Sequence, residues 1–457
     1  MATPMVWMDQ GLALERHAVV FARKYSVGTS YIAGRSMATP APSFHALDGA
    51  RVPVLLLGGV NLVRCLGLAG IPAIVASPDP TEPAFASRHC RASIVIPPYD
   101  HPKAVNRLLA LGEKLRAIAG RRIPLMCGSD DALKLLYAHR DRLQRHFVML
   151  LNEPTVATAL IDKERFQALA AKRGLPVPRE FRWDAADALS LAAAEVEVLV
   201  KPKTKVDWHD SHLHDRLFGE GGKARIFANG REAMADAGVA HFREQLAFQE
   251  YIPGDDRSLW SYHGFADEHG TVLAAFVGRK IRTDPPLTGE SAFIEVAEDP
   301  GLDALGRDIA ARLPLRGAFK MDFKQDPRDG RWLLLEINAR FNLWHYLGAR
   351  NGLNLVQVAY DYLLDRARPV APAAATTYRW LSLELDWRAY RALRQRGELT
   401  LAGWIASIAL SRNVFDLFSW SDPGPWVRFW RMRISRRLGR VSARVFTRVR
   451  QWRSTAS

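Results

Sequence analysis

Cysteine is scarce in this chain: Cys65, Cys90 and Cys127 lie far apart and form no CxxC pair. That argues against a disulfide framework or a thiolate zinc site and favours a reducing compartment. Long apolar runs are missing too. The nearest approach, Leu399 to Ser411, is closed off by Glu398 and Arg412, short of the ~18 residues that span a bilayer. From Trp426 onward there is no Asp, Glu or Lys, only ten arginines that carry +10 of the formal net charge of +15. The basicity is therefore local and argues against a general nucleic-acid binder. GxGxxG spacing and internal repeats are also absent.

What remains is an ordinary globular composition, 48% apolar and 24% charged over 457 residues, enough for about three domains at ~150 residues each. Residues 1–50, rich in Ala, Ser, Thr and Pro, read as a poorly structured leader without a signal-peptide pattern. Met-Ala-Thr-Pro stands at Met1 and recurs at Met37, which leaves a start at Met37 and a chance recurrence both open. From Arg51 to about residue 150 the pattern is α/β. The apolar runs Val52–Leu57, Ile71–Ala76, Ile94–Ile96 and Ile123–Cys127 suit buried parallel strands, and a helix is expected over Asn61–Ala69. Residues 151–365 form a second region. Asp162 caps a helix that runs to Lys172, and a strand ends at Lys201-Pro202. A helix is expected over Arg231–Phe242, with strands at Leu246–Ile252, Leu259–Phe265 and Val272–Arg279. A last hairpin joins Gly317–Lys324 to Arg331–Asn338.

That hairpin carries the most chemistry. Glu336 and Asn338 share one face of their strand, while Asp322 faces away from Met321 and Phe323. Pairing Gln325 with Arg331 sets Asp322 opposite Leu334 and diagonal to Glu336. Two carboxylates and an amide make a hard-oxygen site suited to Mg²⁺ that also holds phosphate. Lys163 and Lys201, and Lys223 in the glycine-rich turn Phe218–Ala224, could supply the cations of a phosphate site. The histidines His209, His212 and His214 in the polar loop before that turn read as solvated.

The ordered set resembles the ATP-grasp superfamily: Asp-Lys163, Leu-Pro-Val-Pro, Val-Lys201-Pro, the glycine turn, Gln249-Glu250-Tyr251-Ile252-Pro-Gly-Asp255-Asp256, Asp322 and Glu336-Ile-Asn338-Ala-Arg340. Within it the chain is similar to the carboxylate–amine ligases, the D-aspartate and D-alanine–D-alanine ligases among them. The resemblance implies an α/β chain with a Rossmann-like pre-ATP-grasp domain over 51–150 and a two-lobed ATP-grasp α+β fold over 151–365. It implies an enzyme that joins a small-molecule carboxylate to an amine through an acyl phosphate, with ATP and two Mg²⁺ ions, Mn²⁺ being an alternative. Lys163, Lys201 and Lys223 would meet the nucleotide phosphates. Gln249, Glu250, Tyr251 and Ile252 would form the adenine hinge, and Asp255 or Asp256 would take the ribose. Asp322, Glu336 and Asn338 would hold metal, with Arg340, Lys280 and Arg282 facing the transferred phosphoryl group or a substrate carboxylate. Other readings are an ATP-grasp phosphotransferase or carboxylase, and a non-catalytic nucleotide-binding regulator at a membrane.

Residues 366–457 lie outside these motifs and read as a mainly helical, Trp- and Arg-rich basic extension suited to an anionic membrane surface. The expected location is cytoplasmic, with the extension at the inner face of the membrane.

Overall fold

A computed structural model describes residues 51–187, 189–203, 213–218, 224–365 and 374–436, without the side chains of Lys163, Glu164, His214 and Asp215. The expected leader, Lys223 with its glycine turn, His209 and His212, and the arginine-rich sequence beyond residue 436 lie outside the described residues.

Val54–Leu57 (β1), Ala73–Ser77 (β2), Cys90–Val95 (β3), Ile123–Cys127 (β4) and Phe147–Val148 (β5) form a parallel sheet in the order β3-β2-β1-β4-β5. Every residue of β1, β2 and β4 is buried, as continuous apolar runs covered on both faces require. The order reverses between β1 and β4, where open sheets of this kind leave a crevice. Two glycines, Gly58 and Gly128, lie against each other and Leu62 beside that crevice. A Cβ on Gly128, just after β4, would stand 2.7 Å from Leu62 of the helix Val60–Leu68 (α1). Ser129 then caps the helix Asp130–Ala138 (α2), its Oγ accepting from Ala132 N–H at 3.3 Å.

Next, Asp162 caps the helix Lys163–Lys172 (α3) as its sequence suggests, accepting from Arg165 N–H at 3.1 Å. A small antiparallel sheet follows, β6-β9-β7-β8, made of Glu180–Phe181 (β6), Val198–Pro202 (β7), Arg225–Phe227 (β8) and Leu246–Glu250 (β9). The helix expected over Arg231–Phe242 is two helices, Gly230–Ala235 and Ala237–His241. Asp236 stops the first and caps the second by accepting from Val239 N–H at 3.0 Å.

The central sheet has the order β14-β13-β10-β11-β12-β15-β16. Its strands are Leu259–Ala266 (β10), Val272–Asp284 (β11), Glu290–Val296 (β12), Gly317–Gln325 (β13), Trp332–Asn338 (β14), Tyr378–Leu381 (β15) and Arg412–Phe415 (β16). One face packs on the helix Pro300–Arg312 (α4). The other packs on Trp344–Arg350 (α5) and Leu355–Asp365 (α6), in a core continuous with β1, β2 and α1. The C-terminal region holds the helices Leu383–Gln395 (α7), Leu401–Ala409 (α8) and one over 424–436. It also gives β15 and β16 to the edge of the central sheet, which a mainly helical reading leaves out. On α1, Arg64 is 1% exposed and pairs with the equally buried Asp422 at 3.0 Å. Asp422 also accepts from Ser87 Oγ at 2.9 Å and Arg88 N–H at 2.8 Å. This cluster fastens the C-terminal region to the first sheet.

Candidate active site

Strand alternation builds a patch of six side chains across β10, β13 and β14. Met321 and Phe323 fill the core beneath, so Lys320 and Asp322 project from the opposite face of β13. Ser261 and Glu336 stand beside Asp322 in the two flanking strands, and His263 and Asn338 stand beside Lys320. The register of the hairpin differs from the sequence expectation. Gln325 pairs with Trp332, and a bulge at Leu335 moves Glu336 directly opposite Asp322, where Leu334 was expected. The extra residue also lets Leu334 and Ile337 reach the same core cluster. Glu336 and Asn338 do share a face: Asn338 Nδ2 donates to Glu336 Oε1 at 2.9 Å.

Cations surround these acids. Lys320 Nζ lies 2.7 Å from Asp322 Oδ2, and Ser261 Oγ donates to Asp322 Oδ1 at 2.5 Å. Burial alone would push the Asp322 carboxyl up. The Lys320 and Lys280 ammoniums, with the hydrogen bonds from Lys320 and Ser261, outweigh it and hold the group well below the usual carboxylate range. Burial pulls the Lys280 ammonium down, opposed by Asp322, Glu336 and Asp256 and reinforced by Lys320. Arg340 bridges to the first sheet: its Nε donates to Asp130 Oδ1 at 2.5 Å, at the start of α2 beside the crevice. Its Nη2 donates to Asn338 Oδ1 at 3.4 Å. Asp322, Glu336 and Asn338 thus supply two carboxylates and an amide oxygen from adjacent strands, with carboxylate lone pairs left over after the protein's own hydrogen bonds. Such a donor set fits Mg²⁺.

The expected nucleotide residues fall into two groups. Lys201 Nζ donates to Gln249 Oε1 at 2.8 Å across β7 and β9. Tyr251 carries the Lys324 ammonium over its ring, 4.6 Å from the centroid, and Ile252 is buried. These four stay together on the small sheet and the strand leaving it. Three other expectations need correction. The Glu250 carboxylate accepts from Arg179 Nε and from Arg328 Nη2, each at 2.8 Å, and so clamps the small sheet to the β13–β14 turn, where a base contact was expected. The Asp256 carboxylate is buried and accepts from Thr283 N–H at 2.7 Å, Thr283 Oγ1 at 2.8 Å and Leu287 N–H at 2.7 Å, which fixes the end of β11 where a ribose contact was expected. Asp255 Oδ1 caps the following turn, accepting from Arg257 N–H at 2.9 Å.

Arg282, expected beside the reacting groups, needs correction as well. A register shift between Lys280 and Arg282 places Ile281 in a bulge, so the two side chains leave β11 on different faces. Arg282 makes a buried bidentate pair with Asp386 of α7, at 2.7 and 2.8 Å, and does not reach the acidic patch. Lys163 opens α3, but its side chain lies outside the described residues, as does Lys223.

Sequence reasoning missed Lys320, Ser261, Lys324 and Asp130. The two lysines carried a visible signal, since each stands two residues from Asp322 on the same strand and so shares its face. Ser261 and Asp130 gave none, because both arrive through pairing distant in sequence.

A search of the solved structures finds the biotin carboxylase domain of 2-oxoglutarate carboxylase from Hydrogenobacter thermophilus, solved with MgADP, ADP and bicarbonate. It superposes with a TM-score of 0.50 at 15% identity, over 72% of this chain and 73% of that one. Among curated proteins, a D-aspartate ligase from Enterococcus faecium (strain Aus0004) is 25% identical over 297 residues, 62% of this chain and 68% of its own. The chain has the ATP-grasp fold. No family model matches it. An L-amino acid ligase from Bacillus licheniformis aligns over 69% of this chain and 75% of its own at a TM-score of 0.47 and 14% identity.

Proposed function

We propose that the protein is an ATP-dependent carboxylate–amine ligase that forms an amide through an acyl phosphate. One observation supports this reading above the rest: Asp322 and Glu336 stand directly opposite each other in a patch that also holds Lys320, Lys280, Asn338 and Arg340. Asp322, Glu336 and Asn338 would hold one or two Mg²⁺ ions, which would neutralise charge on the terminal phosphates. Lys201 and Gln249 face the nucleotide from the small sheet, with the Tyr251–Ile252 strand end as the adenine hinge. Lys280 and Lys320 orient the γ-phosphoryl group and the acid substrate, and lower the repulsion between them. The substrate carboxylate oxygen then attacks the γ-phosphorus, and the bond to the bridging oxygen of ADP breaks. Arg340 steadies the acyl phosphate from the crevice side. The amine nitrogen attacks the acyl carbon, phosphate leaves, and nitrogen gives up a proton.

The curated relative makes D-aspartate the first acid to test. The assay couples ADP release to a panel of D- and L-amino acids and amines, with mass spectrometry of the product. A product whose mass is that of acid plus amine less one water supports the proposal. A phosphorylated or carboxylated product without an amide, or ATP turnover by none of the acids, would replace it with a phosphotransferase, a carboxylase or a silent nucleotide-binding protein.

A further inference from the structure

The helix α8 faces the wrong way for a surface helix. Its inner side is held by polar bonds: Trp404 Nε1 donates to Asp386 Oδ2 at 2.8 Å, and Ser407 Oγ accepts from Arg282 Nη1 at 3.1 Å. Its outer side is Leu401, Ala402, Ile405, Ala406 and Ala409, continuing to Leu410, with Ile405 51% and Leu410 87% exposed. No residue of α8 is charged and none is buried. Water-facing helix sides are ordinarily polar. The helix over 424–436 repeats the pattern, exposing Trp426, Val427, Trp430 and Ile434 along one side, with Arg431 and Arg436 also exposed. Between the two helices lies α7. Its exposed Trp387 packs on Trp404 at 5.3 Å between ring centroids, and its Glu384 pairs with Arg433 at 2.7 Å. Exposed apolar side chains thus gather on three C-terminal helices that touch one another, the kind of surface that marks an interaction site.

Charge selects the occupant. Residues 399–436 contain five arginines and only two acids, Asp416 and Asp422. Both acids turn inward: Asp416 accepts from Ser382 Oγ at 2.9 Å, and Asp422 is buried against Arg64. Residues 437–457 add six arginines and no acid. Among the described residues no helix is long and apolar enough to cross a membrane. We propose that this face docks on an anionic lipid surface. Leu401, Ile405, Leu410, Trp426, Trp430 and Ile434 enter the boundary between headgroups and acyl chains, and Arg431 and Arg436 meet the lipid phosphates. Through Arg282 and Asp386 the face is joined to β11, the strand that carries Lys280. The inference stands on the C-terminal helices alone and does not depend on the ligase reading.

The test is flotation of the full chain with phosphatidylglycerol–phosphatidylcholine vesicles and with phosphatidylcholine vesicles alone, at low and high salt. The expected result is binding to the anionic vesicles that falls by about tenfold or more in the variant Ile405→Ser with Leu410→Ser. In Arg431→Glu with Arg436→Glu the salt-sensitive part of the binding should be lost. Circular dichroism and ADP release in solution should be unchanged in both. Failure of the wild-type chain to float with anionic vesicles overturns the proposal. Undiminished binding by the Ile405/Leu410 variant assigns the attraction to the arginines alone and overturns docking by this face. A solution dimer that this variant dissociates, in a chain that does not bind vesicles, makes the occupant a second copy.

Discussion

Replacing Asp386 by Ala removes the acid from a buried pair whose arginine and aspartate side chains are 6% and 0% exposed. The Arg282 guanidinium is left with the Ser407 hydroxyl and the face of Phe293, 4.8 Å from its centroid. Trp404 Nε1 loses its acceptor as well. Removing one partner of such a pair costs about 3–5 kcal/mol. With a urea slope of ~3 kcal/mol/M for a chain of this size, the unfolding midpoint should fall by about 1–1.7 M. Replacing both members by apolar residues, Arg282→Met with Asp386→Leu, should recover most of the loss, because no unpaired buried charge remains. The assay is urea unfolding followed by tryptophan fluorescence, with ADP release measured alongside. The double variant should retain ADP release, since Arg282 does not reach the acidic patch. A double variant that is fully stable yet inactive would refute this and return Arg282 to the reacting groups. A single variant as stable as wild type would refute the energetic reasoning.

Asp422→Ala leaves Arg64 buried without its acid; urea unfolding should show a loss of about 3–5 kcal/mol, and an unchanged midpoint would contradict the role given to this fastening. Lys320→Met removes an ammonium that holds the Asp322 carboxyl down against burial. The acid limb of ADP release should therefore move to higher pH, and an unshifted limb would rule out Lys320 as its partner. Burial draws the Lys324 ammonium down to about 8, against the pull of Asp256, Asp255, Glu197 and Asp326. Between pH 8 and the unfolded lysine value of about 10.4 the folded chain binds fewer protons than the unfolded chain, so stability should rise with pH across that window. In Lys324→Met that rise should be smaller; an identical slope would refute the assignment.

The central strands were legible because their composition leaves few choices. Val54–Leu57 and Ile123–Cys127 are apolar throughout, and every residue is buried. Alternation around Met321-Asp322-Phe323 and Glu336-Ile337-Asn338 placed the acids on a common face without any structure. What alternation cannot supply is where it breaks. The bulges at Leu335 and Ile281 each add a residue, one bringing Glu336 opposite Asp322 and the other turning Arg282 away from Lys280. Both depend on partner strands, which local sequence does not reveal. The same holds for Asp256 and Glu250, whose motif positions suggested ligand contacts but whose carboxylates are satisfied by Thr283 and Leu287 and by Arg179 and Arg328. The strand Tyr378–Leu381 is only four residues long and becomes a strand by pairing with Phe293–Glu295, a contact about 85 positions distant.

The most direct measurement titrates Mg²⁺ into ATP and the accepted acid, and follows ADP release by wild type and by Glu336→Gln, with circular dichroism to verify the fold. The account predicts saturable Mg²⁺ dependence in wild type and near-complete loss of turnover in a folded variant. Equal turnover by the two proteins would contradict a metal-bound phosphate held between Asp322 and Glu336.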